Sequence, residues 1–166
     1  ITLGTGVGGG IIIDGKLYRG GSMAAGEIGH MPINVTGPVC NCGGIACLER
    51  YIGNRYILER AKKVFGNNIT LEMVSELAKS GNKKAIAIWL DVAEKLGAAL
   101  TQVVNLLNPD RIVIGGGVSM AGGLILKPLI KEVKKRAMKD QAKHVKIVLA
   151  KLGADAGIIG SSLLCR

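Results

Sequence analysis

The stretch from Gly26 to Glu49, GEIGHMPINVTGPVCNCGGIACLE, constrains the fold most, because it places four potential metal ligands in one short segment. Structural zinc is held by four sulfur and nitrogen ligands in a tetrahedron. One histidine and three cysteines supply that number here: His30, Cys40, Cys42 and Cys47. The glycines and proline between them favour a tight loop rather than a helix. The sequence therefore predicts a zinc-binding loop over residues 30–47.

Two alternatives to a zinc site remain open from the sequence. The cysteines are free buried thiols beside a chance histidine, or two of them form a disulfide, although a Cys-x-Cys pair is poorly placed to bond to itself. Cys165 has no cysteine near it and is interpreted as an inert thiol. A thiol-rich metal loop suits a reducing compartment, so we expect a cytoplasmic protein.

The same stretch contains two glutamates that a four-ligand zinc site does not need, Glu27 and Glu49. If zinc holds one imidazole nitrogen of His30, the other nitrogen has a fixed direction and can donate a hydrogen bond. With two acidic acceptors beside it, the cluster suits a polyol or a sugar. The alternative is that both glutamates are exposed or support the zinc ligands, and the spacing alone does not separate these interpretations.

Glycine accounts for 25 of the 166 residues and clusters in three places without a repeating period, which is typical of loops that approach ligands. The first cluster follows a short apolar strand over residues 1–4. Backbone N–H groups in such a turn can surround phosphate oxygens. The candidate phosphate loop consists of Gly4, Thr5, Gly6, Gly8, Gly9 and Gly10. The motif is weak alone, because it matches neither the Walker pattern nor the dinucleotide fingerprint.

The rest of the chain predicts an α/β fold. Asp14-Gly15 between apolar runs predicts a type I′ hairpin with Asp14 as a turn residue. A helix begins near Leu48, and a second helix has Thr70 as its cap. A long helix over 83–107, a strand over 111–114, a helix to about 139, a strand over 145–149 and a helix from 155 then alternate, which implies a mostly parallel sheet.

A second glycine cluster stands where ligands bind in such sheets, at the carboxyl end of the strand over 111–114. It consists of Gly115, Gly116 and Gly117. The alternative is that these glycines only allow close packing of a helix on the strand.

The formal net charge of +10 and the aromatic content of 3% bear on possible partners. Few rings argue against a base-stacking nucleic-acid surface. Much of the charge lies over residues 127–151, on the outer face of an amphipathic helix, and we interpret it as a solvated face. No apolar run approaches the roughly 20 residues that span a bilayer. We expect neither nucleic acid nor a membrane as a partner.

Taken together, the motifs resemble the ROK family of sugar kinases and sugar-responsive repressors, within the ribonuclease H-like, actin-like ATPase superfamily. The resemblance covers nearly the whole chain and rests on the succession LGTGVGGGIIIDGKLYRG, AAGEIGHM, CNCGGIACLE, NPDRIVIGGGVS and GADAGIIGSSL. It implies a lobe with a mixed sheet, flanking helices and an inserted zinc-binding loop. One minor departure is Ala46, where the family usually has glycine.

The resemblance also implies roles for named residues. Glu27, His30 and Glu49 would contact a hexose, most simply glucose, and His30 would share structural zinc with the three cysteines. The glycine regions over 4–10 and 115–117 would face ATP with Mg²⁺. Phosphate would pass from ATP to the 6-hydroxyl of the sugar, and we also expect a homo-oligomer.

A larger departure is that the family's N-terminal half has no counterpart in this sequence. That half carries the Asp-x-Gly-Gly-Thr phosphate loop and the Asn-Asp pair that supplies the catalytic base. Four aspartates are interpreted instead as turn, helix-surface or boundary residues: Asp14, Asp91, Asp110 and Asp155. We therefore expect residues 1–166 to be the C-terminal lobe of a larger kinase, inactive without its N-terminal lobe.

Two functions of different class remain: a lobe of a glucokinase-type enzyme, or the sugar-sensing domain of a ROK-type transcriptional repressor. Both would keep the zinc loop. The phosphate loops of a repressor would be free to decay, whereas both glycine segments are intact here, which favours the kinase. A basic zinc module that binds nucleic acid would rest on charge alone.

Overall fold

The computed structural model describes residues 1–163, which form a mixed α/β unit. Cys165, interpreted above as an inert thiol, lies outside the described residues. The strands are β1 Thr2–Leu3, β2 Val7–Gly8, β3 Ile11–Ile13, β4 Lys16–Tyr18, β5 Arg111–Ile114 and β6 Lys146–Leu149. The helices are α1 Glu49–Ile52, α2 Asn54–Phe65, α3 Leu71–Lys79, α4 Lys83–Leu107, α5 Gly123–Arg136, α6 Lys139–His144 and α7 Ala156–Leu163. The 3₁₀ segments are Ile28–His30, Gly117–Ala121 and Gly153–Asp155.

The described strands form three two-stranded sheets, some parallel and some antiparallel, which confirms a mixed α/β fold. β1 pairs with β2, and β3 with β4, in the antiparallel sense, while β5 and β6 are parallel. A parallel bridge joins Thr2 to Gly115, where the N–H of Leu3 donates to the Gly115 carbonyl at 2.8 Å. The strands β2, β1, β5 and β6 are therefore connected side by side. The hairpins β1–β2 and β3–β4 explain why the arrangement is not mostly parallel.

The hairpin at Asp14-Gly15 has the predicted geometry. Ile13 pairs with Lys16, which leaves a two-residue loop between β3 and β4. Asp14 has φ of 52° and Gly15 has φ of 74°, and two positive φ angles in the loop define a type I′ turn. Asp14 is thus the turn residue that the sequence predicted.

The first strand is shorter than predicted, because the candidate phosphate loop is itself a hairpin. Gly4 and Gly6 close a tight turn, in which the N–H of Gly4 donates to the carbonyl of Gly6 at 2.9 Å. Val7 then returns alongside Leu3 as β2. The stretch over 4–10 therefore contains one turn and one short strand rather than a single open loop.

The predicted helices are present, with two differences at their boundaries. The Thr70 hydroxyl caps α3 by accepting from the N–H of Met73 at 3.2 Å, and α4 has the predicted bounds. Gly53, however, is extended and separates α1 from α2. Likewise α5 ends at Arg136, and the separate helix α6, which the sequence did not predict, precedes β6.

The hydrophobic core lies around α4, which packs against α5 along much of its length. Trp89, Leu96 and Leu100 of α4 are buried, as is Leu129 of α5. Gly97 permits this close crossing, because a Cβ at that position would lie 2.7 Å from the Cβ of Glu132. Within residues 1–163, none of the helices has both the length and the apolar character needed to cross a bilayer.

We expect Gly116→Ala to destabilise the protein by at least about 2 kcal/mol, because the new Cβ would meet the Leu3 backbone and the residue would keep a left-handed φ of 86°. Gly117→Ala is the matched control, since a Cβ at that position would have no atom within 4 Å. Urea unfolding measures both changes. Equal losses in the two variants would contradict the importance of the Leu3–Gly116 contact.

Candidate functional site

The predicted metal ligands come together in the loop between the 3₁₀ segment Ile28–His30 and α1. The nitrogen and sulfur atoms of His30, Cys40, Cys42 and Cys47 all lie within 4.8 Å of one another. The Nδ1 atom of His30 is 3.8 Å from the Cys40 sulfur, and the sulfurs of Cys42 and Cys47 are 3.7 Å apart. All three cysteines are free thiols, so the disulfide alternative is excluded for them.

These distances suit zinc. A tetrahedral ion with zinc–sulfur bonds of about 2.3 Å separates neighbouring ligand atoms by about 3.8 Å. The two measured pairs, at 3.8 and 3.7 Å, match the edges of such a tetrahedron. Soft thiolates with one imidazole are also the donor set that zinc favours over magnesium or calcium. The cluster therefore has the ligand number and donor type of a structural zinc site, and its ligand atoms, all within 4.8 Å of one another, are close enough to converge on one ion.

The surroundings of Cys42 and Cys47 shift the pKa values of the two thiols in opposite directions. Burial, followed by the nearby sulfurs of Cys42 and Cys40, raises the pKa of the Cys47 thiol to about 12. The N–H of Gly44, 3.4 Å from the Cys42 sulfur, lowers the pKa of the Cys42 thiol. Zinc binds thiolates, and a bound cation favours the deprotonated sulfur at both positions.

The second ring nitrogen of His30 faces away from the sulfurs. Its Nε2 atom lies 3.9 Å from Oε2 of Glu27, whose side chain is 62% exposed. This separation is too long for a hydrogen bond, so the carboxylate of Glu27 does not fix the imidazole ring directly. Glu27 and His30 instead present an acceptor and a ring nitrogen side by side at the surface.

Glu49 occupies a different position from Glu27. Glu49 is the first residue of α1 and follows the buried residues 46–48. Its Oε2 atom accepts a hydrogen bond from the N–H of Val7 at 2.9 Å. Gly6 leaves room for this carboxylate, because a Cβ on Gly6 would clash with Oε2. The hydrogen bond joins Glu49 to the hairpin of β1 and β2 over residues 2–8, which we call the glycine hairpin. It does not join Glu49 to a predicted zinc ligand.

The segment that carries Glu27 and His30 packs directly on the glycine hairpin. A Cβ on Gly9 would lie 2.5 Å from the carbonyl oxygen of Gly26, and a Cβ on Gly29 would clash with the carbonyl of Val7. The two backbones therefore approach more closely than residues with side chains would allow. This contact places both glutamates and the histidine beside the hairpin over residues 1–8.

The two glycine regions project from the same edge of the strands. β1 leads into Gly4, and the parallel strand β5 leads into Gly115, which bonds to β1. The carboxyl ends of neighbouring parallel strands are the usual ligand-binding edge of an α/β sheet. A Cβ added to Gly4, Gly8 or Gly117 would have no other described atom within 4 Å. Thr5 is exposed. The predicted nucleotide-facing residues are thus partly accessible and adjacent.

The aspartates that the sequence analysis set aside as catalytic bases lie in turns, on helix surfaces or at the ends of elements. Asp91 on α4 pairs with Arg60 and Lys95, and Asp110 accepts from the His144 imidazole at 2.7 Å. Asp155 ends a 3₁₀ segment. These positions agree with the interpretation as turn, helix-surface and boundary residues.

Two features of the site were not predicted from the sequence. The N–H of Asn54 donates to the Gly4 carbonyl at 2.9 Å, so the beginning of α2 holds the glycine turn. Ala46 is fully buried and has a positive φ of 57°. The sequence did offer a signal for this conformation: the family usually has glycine where Ala46 stands, and glycine adopts a positive φ without strain.

Comparison with known proteins matches the ROK family over residues 1–166. A xylose repressor from Caldicellulosiruptor bescii is 35% identical, over 96% of this chain and 43% of its own length. A glucokinase from Halalkalibacterium halodurans is 36% identical, over 100% of this chain and 55% of its own length. A crystal structure of a ROK family glucokinase from Streptomyces griseus in complex with glucose and AMPPNP superimposes with a TM-score of 0.89 and 32% identity, covering 98% of this chain and 58% of that one.

The chain spans about half the length of these relatives. The relatives include both a repressor and sugar kinases. The match to the glucokinase structure covers the strands, the helices and the cysteine loop together.

We expect about one zinc ion per chain, and we expect Cys42→Ser to lower zinc affinity at least about tenfold. Cys42 is exposed, so serine removes a ligand without opening a cavity. Elemental analysis and zinc titration measure the change. As a control, both proteins should unfold at the same temperature after complete chelation of the metal. A protein purified without chelators that contains no zinc would contradict the prediction.

Proposed function

Because the chain belongs to the ROK family, we propose that it is the C-terminal lobe of an ATP-dependent hexose kinase that transfers phosphate to the 6-hydroxyl of glucose or a related hexose. The observation that carries this proposal is the contact between the segment with Glu27 and His30 and the glycine hairpin. Phosphoryl transfer requires that the sugar hydroxyl and the phosphate donor lie side by side. This contact supports such an arrangement.

We assign the sugar to Glu27, His30 and Glu49. The carboxylates would accept hydrogen bonds from sugar hydroxyls, and such charge-assisted bonds are stronger than those between neutral groups. Glu27 is accessible and is held beside Nε2 of His30. Glu49 is half-buried, and its hydrogen bond to Val7 fixes the position of its carboxylate. Together these groups would offer one fixed carboxylate, that of Glu49, and one accessible carboxylate, that of Glu27, beside the glycine hairpin.

We assign ATP, with Mg²⁺, to the glycine regions over 4–10 and 115–117. Their position at the carboxyl ends of β1 and β5 supports this assignment, as does the open space at Gly4, Gly8 and Gly117. Exposed backbone N–H groups in such turns suit phosphate oxygens. The similar glucokinase from Streptomyces griseus was crystallised in complex with glucose and AMPPNP.

Zinc in this proposal has a structural role, since four protein ligands leave no open position on the ion. The chain's own contribution is to hold Nδ1 of His30 toward the sulfurs and so fix the direction of Nε2. Thiolate ligands require a reducing compartment, which supports our expectation of a cytoplasmic protein.

The catalytic base, the remaining ATP contacts and closure of the cleft would come from an N-terminal lobe. The local pairing of the aspartates in this chain supports that division, because Asp91 and Asp110 are engaged elsewhere. The greater length of the relatives also supports it. We further expect the full-length protein to form a homo-oligomer.

A second candidate function is the sugar-sensing domain of a transcriptional repressor. The 35% identity to a xylose repressor favours it specifically. A sensor would use the same sugar residues without phosphoryl transfer. Binding of a sugar by the full-length protein, without consumption of ATP and with altered affinity for DNA, would identify the sensor.

We expect the full-length protein to phosphorylate glucose in a coupled assay with ATP and Mg²⁺, and we expect the 166-residue chain alone to give no turnover. The physical reason is that the acceptor of the hydroxyl proton and part of the ATP site would lie on the N-terminal lobe. Steady turnover by the isolated chain would contradict the two-lobe proposal. Sugar binding without turnover by the full-length protein would favour the repressor.

In the full-length protein, we expect Glu27→Gln to weaken hexose binding and turnover by about ten- to a hundredfold, because the amide loses the charge and one acceptor. Zinc content and unfolding temperature should not change, since Glu27 does not contact a sulfur ligand. His30→Asn should reduce both sugar affinity and zinc content. Steady-state kinetics and elemental analysis separate these effects.

Glu76→Gln is the matched control for this comparison, because Glu76 is an exposed glutamate on α3 that pairs with Lys79, away from the cysteine loop. It should leave both hexose kinetics and zinc content unchanged. If Glu27→Gln releases zinc, or leaves hexose kinetics at the level of the control, Glu27 supports the metal loop rather than the sugar.

A further inference from the structure

The surface formed by α5, α6 and β6 carries most of the protein's excess positive charge. Residues 127–146 contain eight lysines and arginines and two acidic residues, a net +6 of the chain's formal +10. All eight cationic side chains are exposed: Lys127, Lys131, Lys134, Lys135, Arg136, Lys139, Lys143 and Lys146. We call this surface the basic face.

Among the described residues, only two of these eight side chains form a close ion pair, although Lys131 and Lys135 also interact electrostatically with Glu132. Arg136 pairs with Glu132 and Glu94, and Lys143 lies 3.8 Å from a carboxylate oxygen of Asp140. In the part of the chain that the structure describes, no ion pair involves the other six lysines of the basic face. The field above the surface is therefore strongly positive and would attract an acidic partner.

An apolar groove of about 330 Å³ lies within the basic face. Its apolar lining comes from all three elements: Ile130, Val133, Ala142, Val145, Ile147 and Val148. The lysines Lys134 and Lys146 also line it, and both are exposed. A groove with an apolar lining and cationic side chains beside it suits a ligand that carries both apolar and acidic groups.

The groove follows the outer edge of β6. Among the described strands, only β5 pairs with β6. The N–H groups of Lys146 and Ala150 donate to the carbonyls of Asp110 and Ile114, on the side of β5. Those of Ile147 and Leu149 therefore point to the opposite edge, by the alternation of a strand. The four successive residues 145–148 line the groove, whereas a groove over one face of the strand would be lined by alternate residues.

We propose that the basic face binds an extended acidic polypeptide segment with apolar residues at alternate positions, which adds as a further strand to the outer edge of β6. Backbone hydrogen bonds to β6 would supply affinity, as in other cases of strand addition. The apolar side chains would enter the groove, and the acidic side chains would face the lysines. This binding requires neither a sugar nor ATP.

Other occupants fit the observations less well. A second copy of the chain would bring two faces of net +6 together, and like charges repel. A nucleic acid would match the charge, but its phosphates gain nothing from the apolar lining, and the chain has few aromatic side chains on which bases stack. Lysines on an edge strand also prevent pairing with neutral strands, which makes the edge selective for acidic ones.

The test uses the full-length protein and a fluorescent peptide of about ten residues, the length of a long strand, that alternates glutamate with valine. Fluorescence anisotropy measures the affinity. We expect saturable binding that weakens as the salt concentration rises. The double variant Lys134→Glu with Lys146→Glu should lower the affinity at least about tenfold.

The matched control is Lys62→Glu with Lys83→Glu, which changes the net charge equally at exposed positions on α2 and α4. It should change the affinity less than about twofold. Three peptides complete the test: one with serine in place of valine, one N-methylated on alternate amides, and one with lysine in place of glutamate. All three should bind much more weakly, because each lacks one of the proposed interactions.

Three outcomes would overturn the proposal. Equal losses in the two double variants would mean that net charge alone attracts the peptide. Equal binding of the serine peptide would mean that the groove has no role. Tighter binding of a duplex oligonucleotide through Lys134 and Lys146 would identify the basic face as a nucleic-acid surface.

Discussion

The close approach of two backbone segments, Val7–Gly9 and Gly26–Gly29, is the constraint on which the candidate site depends. No side chain fits between them, because a Cβ on Gly9 or Gly29 would meet a carbonyl oxygen of the opposite segment. The metal loop begins at His30, at the end of one segment, and Glu49 bonds to the other through Val7. One packing contact thus sets the relative position of the histidine–cysteine cluster, Glu27, Glu49 and the glycine hairpin.

The parts of the fold that could be predicted from the sequence are those that nearby residues determine. Asp14-Gly15 specifies its turn through the φ angles that these two residues tolerate. Thr70 specifies the start of α3 through one hydrogen bond to the N–H of Met73. The clustering of His30 with the three cysteines could be predicted for a related reason, since all four residues lie in one loop over 30–47 and glycines allow that loop to turn sharply.

The rest could not be predicted, because distant contacts determine it. Gly6 and Gly9 were attributed to phosphate binding, but their lack of a side chain also makes room for Glu49 and Gly26. The break at Gly53 reflects its contact with the backbone of Thr5, where a Cβ would lie 2.9 Å from the carbonyl oxygen. Nothing in the local periodicity of a helix indicates such a neighbour. The positive φ of Ala46 is similar, since it is set by the closure of the metal loop.

The distinction between packed and open glycines bears on the choice between kinase and sugar sensor. At some glycines, such as Gly9 and Gly116, an added Cβ would clash with neighbouring backbone. Packing explains glycine at these positions, and either function would require it. At Gly4, Gly8 and Gly117 there is room for a side chain, and none of these residues has a positive φ. Packing therefore does not account for glycine at these three positions. In the proposed kinase, the close approach of a phosphate group would account for it, because a Cβ would project into the space that the phosphate occupies. A sensor without a nucleotide would have no use for open glycines at Gly4 and Gly117, where β1 and β5 lead to the ligand-binding edge, and this is our reason for proposing the kinase first.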